Sequence, residues 1–340
     1  MDSNDHLPGH PASTFYRSKL FQVLVFVAGT ILIGAFLAPP LYWAGKGIVA
    51  SGALKGGWLN GLHDSMERAR FSRYFNRAIL AGALLMLWPV LKWMGSSVRG
   101  GSEKGEKKDW LARLDLETNP VWWRHLLIGY AVAAIPLLIL AWVYLSLDLY
   151  RWRPGWDHSL VTLLLSALST GLTVALMEEF VFRGALFAVI GKVLGPWPLL
   201  LSVSAFFALV HFLHPPAGLE IPPVTASSGF WMLGQIFGQF GNPQFLVAEF
   251  AVLFAIGLVL GYVRMKTASL WMGIGLHGGW VFGVKVINPV TIRNFQPYEM
   301  MPWLGDNLRV GAVSCLVVCF TGLGLWMWLQ KTEPRSPFSP

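Results

Sequence analysis

Charge is scarce in this chain. Of its 340 residues only 13% are Asp, Glu, Lys or Arg, where an ordinary soluble domain carries about 25%. The length would allow two soluble domains, but this composition excludes them. Cysteine is scarcer still: Cys315 and Cys319 are the whole supply. Four apart in an apolar stretch, they fall on one helical face as small packing residues and cannot staple distant segments, so a disulfide scaffold is excluded. The chain has no HExxH zinc-protease motif and no internal repeat of the inverted kind that marks many transporters.

Apolar residues fill the space that charge leaves. Hydrophobic residues make up 54% of the chain, with 17 Trp and 22 Phe, and the mean hydropathy is +0.53. Several of the rings sit at the ends of apolar runs, where bulky side chains anchor at a bilayer surface. The expected fold is an all-α, polytopic transmembrane bundle of about eight spans. They fall at 20–43, 78–95, 125–147, 159–190, 196–214, 244–263, 269–287 and 309–330. The first run exceeds the ~7–15 residue core of a secretory signal, so it is read as a span that stays. The net charge of +8 fits basic loops beside apolar spans. The lipid bilayer is therefore the expected partner, and nucleic acid is not.

This pattern divides the chain into a polar tail (1–19), an N-terminal membrane region (20–150), a core (159–290), a last span (309–330) and a short tail (331–340). Within 20–150, the 44–77 loop carries Arg68, Arg70, Arg73 and Arg77 among Met66, Phe71 and Tyr74, the pattern of a basic amphipathic helix on a membrane surface. A second basic loop covers 96–124. With the N-terminus inside, the inner segments hold 13 Lys and Arg against 10 outside, six of the ten in the 44–77 loop. Without that loop the bias places both termini in the cytoplasm of a cell (plasma) membrane. The stretch 215–243 has Glu220 as its sole charge, and its 229–240 part reads as a short interfacial or re-entrant helix, either a lid or a packed connector.

Chemistry concentrates in the core. The fourth span runs uncharged from Ser159 to Met177, then reads Glu178, Glu179, Phe180, Val181, Phe182, Arg183. Each charge at a bilayer centre costs about 2.5–3.5 kcal/mol on insertion scales, so an intramembrane cluster of three points to function. At helical spacing Glu179 and Arg183 align and can pair, while Glu178 points about 100° away, free to face a cavity as a general base. The fifth span carries Phe207 and His211, four apart; the seventh carries His277 among Gly273, Gly275, Gly278 and Gly279. At ~1.5 Å per residue, Glu178, His211 and His277 lie ~18, ~22 and ~12 Å from the inner ends of their spans, depths that can meet in one cavity. The glycines would let a neighbouring helix or a peptide approach closely. Glu249 is read as interfacial or paired, Lys92 and Lys285 as snorkelling, and His214 as lying too near the interface.

The ordered set EExxxR, FxxxH and a later intramembrane His resembles the CAAX protease and bacteriocin-processing (CPBP, or Abi) family over about 159–290. The resemblance implies a multi-pass intramembrane endopeptidase acting on membrane-associated proteins or peptides, in CAAX-type or leader and bacteriocin-type processing. It also implies roles: Glu178 activates a water with His211, His277 polarises the developing oxyanion, and Arg183 orients Glu178 and Glu179. The family places Asn or another polar residue four positions after the last His, where this chain has Val281. Ser166, Ser169, Thr170 and Thr173 are the available substitutes. No cofactor is favoured; if the enzyme is metal-dependent, Glu178, His211 and His277 would hold a divalent metal such as zinc. Two rival readings are an ion-coupled transporter and a catalytically idle immunity or partner protein.

Overall fold

The computed structural model describes residues 19–56, 59–96, 119–157, 159–191, 194–211, 215, 219–238, 241, 243–305 and 307–332. Nearly all of the polar tail, most of the 96–124 loop, His214 and most of the final tail lie outside them. In chain order the longer elements are α1 (Lys19–Ala50), α2 (Asn60–Glu67), α3 (Phe71–Ser96), α4 (Trp122–Ser146), β1 (Tyr150–Trp152), α5 (Leu160–Glu179), α6 (Pro196–His211), α7 (Ser228–Gly238), α8 (Pro243–Thr267), α9 (Trp271–Val290), β2 (Thr291–Arg293) and α10 (Ala312–Thr332). This is an all-α membrane bundle. Among the described residues five helices are long and apolar enough to cross a bilayer: Leu24–Ala50, Trp122–Ser146, Leu160–Leu186, Ala248–Thr267 and Ala312–Lys331. The other three expected spans fall on α3, α6 and α9, and α6 is short, at 16 residues. β1 and β2 form a small antiparallel ladder with Arg151 opposite Ile292.

The chain divides into two compact units, one of residues 1–106 and 212–241, the other of 107–211 and 242–340. The first is built on α1, which packs against α2, α3 and α7. Small residues set the contacts: a Cβ on Gly34 would meet the Ile79 backbone, and one on Gly229 would meet the Ala35 carbonyl. Phe75, Met232 and Ile236 are completely buried there. Thus 228–238, within the stretch read as a lid or a connector, is a packed helix on α1. The 44–77 loop also differs from expectation. It is not one surface helix but the end of α1, the separate α2 and the first turns of α3. Its arginines Arg68, Arg70, Arg73 and Arg77 are exposed, as an amphipathic pattern requires. Its apolar face, Phe71 and Phe75, packs against protein in a cluster with Ala35, Ala38 and Met232. The same periodicity serves a helix buried on its neighbours and one buried in lipid.

In the second unit α9 packs against α4, α5 and α8, and its glycines explain how. A Cβ on Gly275 would meet the Leu126 carbonyl, and one on Gly279 the Tyr130 carbonyl, both on α4. On α5, a Cβ on Gly171 would come within 2.7 Å of the Gly278 carbonyl oxygen. Backbones approach closely on two faces of α9, the arrangement that small residues permit between membrane helices. His277 lies between these contacts and is held in a narrow seam. Gly275→Val should therefore push α4 off α9 and lower the melting temperature in detergent sharply, for a stability loss above the about 1–3 kcal/mol typical of overpacking. Gly47→Ala, on an open face of α1 with nothing within 4 Å, should leave the melt unchanged or raise it slightly.

Candidate active site

α5 begins at Ser159, whose side chain accepts from the Thr162 amide, and delivers Glu178 and Glu179 at its C-terminal end. The helix does not continue as a regular α-helix, as the sequence leads one to expect. Phe180–Leu186 is π-helical, a widening that occurs mostly as short insertions at functional sites. Across it the Glu179–Arg183 pair still forms: Arg183 donates from Nη1 to Glu179 Oε1 at 2.9 Å, with both side chains 1% exposed. Arg183 is held from three more directions. Its Nη2 donates to the Gly257 carbonyl at 3.3 Å, its own carbonyl accepts from Arg264 Nε at 3.1 Å, and its guanidinium lies 4.4 Å from the Phe207 ring centre. This cation–π contact gives the phenylalanine of FxxxH a physical role.

Glu179 also reaches across to α9, because His277 Nδ1 lies 2.9 Å from the same Oε1. A carboxylate can only accept, so the proton of this bond is on Nδ1 and the ring turns Nε2 away from Glu179. On α6, His211 Nδ1 lies 2.8 Å from the Phe207 carbonyl, which likewise directs Nε2 outward. Both Nε2 atoms face Glu178: its Oε2 is 3.4 Å from that of His211 and 3.7 Å from that of His277. Glu178 Oε2 is itself buried. The structure thus brings Glu178, Glu179, Arg183, His211 and His277 into one constellation drawn from three helices.

Glu178, His211 and His277 line a cavity of about 320 Å³ whose other walls are largely apolar, including Leu137, Val252 and Ile256. Of the four hydroxyl residues proposed from the sequence, Thr170 lines it, whereas Ser166, Ser169 and Thr173 are exposed. Val281 lines it too, so the position that carries a polar side chain in the family pattern presents an isopropyl group here. Sequence reasoning missed two residues. Arg309 lines the cavity and donates to the buried Glu249 at 2.8 Å, settling Glu249 as paired; nothing local in the sequence joins residues 60 apart. Lys285, read as snorkelling, is exposed but also forms part of the cavity wall; it lies two helical turns beyond His277, a spacing that could have signalled it.

Tetrahedral zinc needs ligands at about 2.0–2.2 Å, which brings donor atoms within about 4.5 Å of one another. Among the described residues, three such side chains with ligand atoms within 4.8 Å of each other occur at His63, Asp64 and Glu67. Glu178, His211 and His277 do not form such a group, so in this arrangement they are spread too widely to share one ion. Glu179 is occupied by Arg183 and His277.

Arg183 is the buried counter-charge of the constellation. Arg183→Ala should leave Glu179 without its cation and cost about 3–5 kcal/mol, seen as a fall in the melting temperature. Arg183→Lys should recover part of this, since an ammonium keeps the charge but cannot reproduce the fork that serves Glu179 and Gly257 together.

With this geometry in hand, comparison with known proteins finds one family. Residues 160–283 match the model described as Type II CAAX prenyl endopeptidase Rce1-like. No curated protein matches, and no solved structure does. The matched segment contains Glu178, Glu179, Arg183, His211 and His277, and the activity it indicates is that of a membrane-embedded peptidase acting on a protein substrate. Residues 160–283, which carry the whole constellation, are thus similar to the CAAX protease and bacteriocin-processing family.

Proposed function

We propose that this protein is a metal-free, glutamate-type intramembrane endopeptidase that processes membrane-associated proteins or peptides at the Glu178 cavity. One observation carries the reading: Glu178 Oε2 sits buried between two imidazole nitrogens at 3.4 and 3.7 Å. A water there gives its proton to Glu178 as its oxygen attacks the scissile carbonyl carbon. The carbonyl electron pair moves onto oxygen, and His277, oriented by Glu179, faces that developing charge. When the carbon–nitrogen bond breaks, the proton on Glu178 passes to the departing amine with His211 as its neighbour. A carboxylic acid and an amine result. Glu179 and Arg183 position this apparatus, and they touch neither water nor substrate.

The donor spacing described above supports a mechanism without a metal. The apolar walls suit a lipid-borne segment, and the family description favours a CAAX-type C-terminal tail over a leader peptide. The bias of 13 Lys and Arg against 4 outside the 44–77 loop supports cytoplasmic termini. The test uses purified protein in lipid, a panel of prenylated tails, leader peptides and membrane segments, and cleavage scored by mass spectrometry. Wild type should cleave, with or without a chelator, and Glu178→Gln and His211→Ala should each lose about 10²–10⁴-fold in rate. Loss of wild-type cleavage on chelation would overturn the metal-free mechanism. Cleavage retained in Glu178→Gln would overturn the assignment of the base.

A further inference from the structure

Besides Glu178 and the two histidines, the ionisable side chains that line the cavity among the described residues are both cations, Lys285 and Arg309. They differ in what balances them. Arg309 is half-exposed and donates from Nη2 at 2.8 Å to Glu249, whose side chain is buried behind it. Lys285 is exposed, and among the described residues no carboxylate or carbonyl holds its ammonium. Ionisable groups at membrane depth ordinarily pair with one another, and where they do not they line the path of a substrate or ion.

The placement of Lys285 on α9 argues against snorkelling. A helical side chain leans toward the turn before its own Cα. For Lys285 this is back along α9 toward His277 and away from the helix end at Val290, so the side chain covers cavity wall. Eight residues separate it from His277, ~12 Å along the axis. An extended peptide advances about 3.3–3.6 Å per residue. A chain with its scissile carbonyl at Glu178 therefore comes level with Lys285 about three or four residues further on. The backbone of an internal segment brings no charge to that point, whereas a chain end brings a carboxylate.

We propose that Lys285, with Arg309 in the same cavity, binds the free C-terminal carboxylate of the substrate and so directs cleavage to a bond a few residues from the chain end. The proposal rests on the endopeptidase reading and names how that site selects its substrate. The carboxylate supplies the counter-charge that Lys285 lacks, between apolar walls where a charge-assisted hydrogen bond is strong. The contact is the same in the bound substrate and in the transition state, so it acts on KM. Lys285 is a specificity residue, and no bond to it forms or breaks.

The test uses the full chain in lipid and a peptide that the wild type cleaves, made in three forms: with a free C-terminal carboxylate, with a C-terminal amide, and with the amide on a glutamate as last residue. Amidation probes the contact without altering the protein. It should lower kcat/KM by about 10–100-fold, the range for a hydrogen bond to a charged group, with the change mainly in KM. Lys285→Gln should lose as much on the free acid, and Lys285→Arg should recover most of it. The losses from amidation and from Lys285→Gln should not multiply, because both remove one contact. Values of kcat/KM within about threefold for acid and amide, or losses that multiply, would overturn the proposal and leave the endopeptidase reading intact. Full recovery with the amidated glutamate would overturn the assignment to the chain end, since a side-chain carboxylate would then serve. Absence of cleavage by the wild type on every peptide would overturn both readings.

Discussion

One carboxylate oxygen organises this site. Glu179 Oε1 takes the Arg183 guanidinium and the His277 ring at 2.9 Å each, joining the end of α5, the π-helical turn and α9 through a single atom. In a buried setting such a junction is stable only when complete, because removing either partner leaves charge or donor unmet in a medium that cannot solvate it. The rest of the geometry follows from it. With Nδ1 of His277 fixed, Nε2 has one direction left, toward Glu178. With Arg183 fixed, its guanidinium packs on Phe207, whose carbonyl in turn holds His211. The two histidines converge on Glu178 because their other ring nitrogens are bound elsewhere.

This network needs helices closer together than side chains of ordinary size allow. Gly171, Gly275, Gly278 and Gly279 supply that closeness, since a Cβ at Gly171, Gly275 or Gly279 would strike a neighbouring backbone oxygen. The seam is held by dispersion and close packing, because burial from water gives little drive between helices already in lipid. Precision in the polar network and smallness in the seam are therefore one requirement. A carbonyl approaching Glu178 meets groups already oriented, which is the condition under which fixed dipoles stabilise a transition state.

Much of this was legible in the sequence, for physical reasons that can be named. Three charges in an apolar span stand out because lipid makes them costly, and a four-residue spacing pairs Glu179 with Arg183 whether the turn between them is α or slightly wider. Depth alone placed Glu178, His211 and His277 within reach of one another. What escaped depends on information that no local pattern holds. The π-helical turn leaves no compositional trace in Phe180–Leu186. The partner of Glu249 is Arg309, reachable only through the packing of the second unit. The basic loop misled for a different reason: Phe71 and Phe75 give the same periodicity facing lipid or facing Ala35 and Ala38.

The segment that matches the family ends at residue 283, but the cavity does not. Leu137 from α4, together with Leu308, Arg309 and Val317 from α10 and the loop before it, completes the walls. All lie outside 160–283. The reacting side chains, by contrast, lie wholly inside it. Chemistry thus comes from one stretch of chain, and shape from that stretch together with others. A pocket that positions a tail beside a fixed base can change its preference by altering apolar walls worth a few methylenes, each discriminating only about 10–200-fold, while the base and its histidines stay in register. In this protein the wall is also where charge re-enters, as Arg309 held by a buried Glu249. Removing Glu249 would release that guanidinium into the cavity without touching the reacting atoms. Substrate choice is therefore to be sought in the residues the family match does not reach as well as in the apolar walls within it.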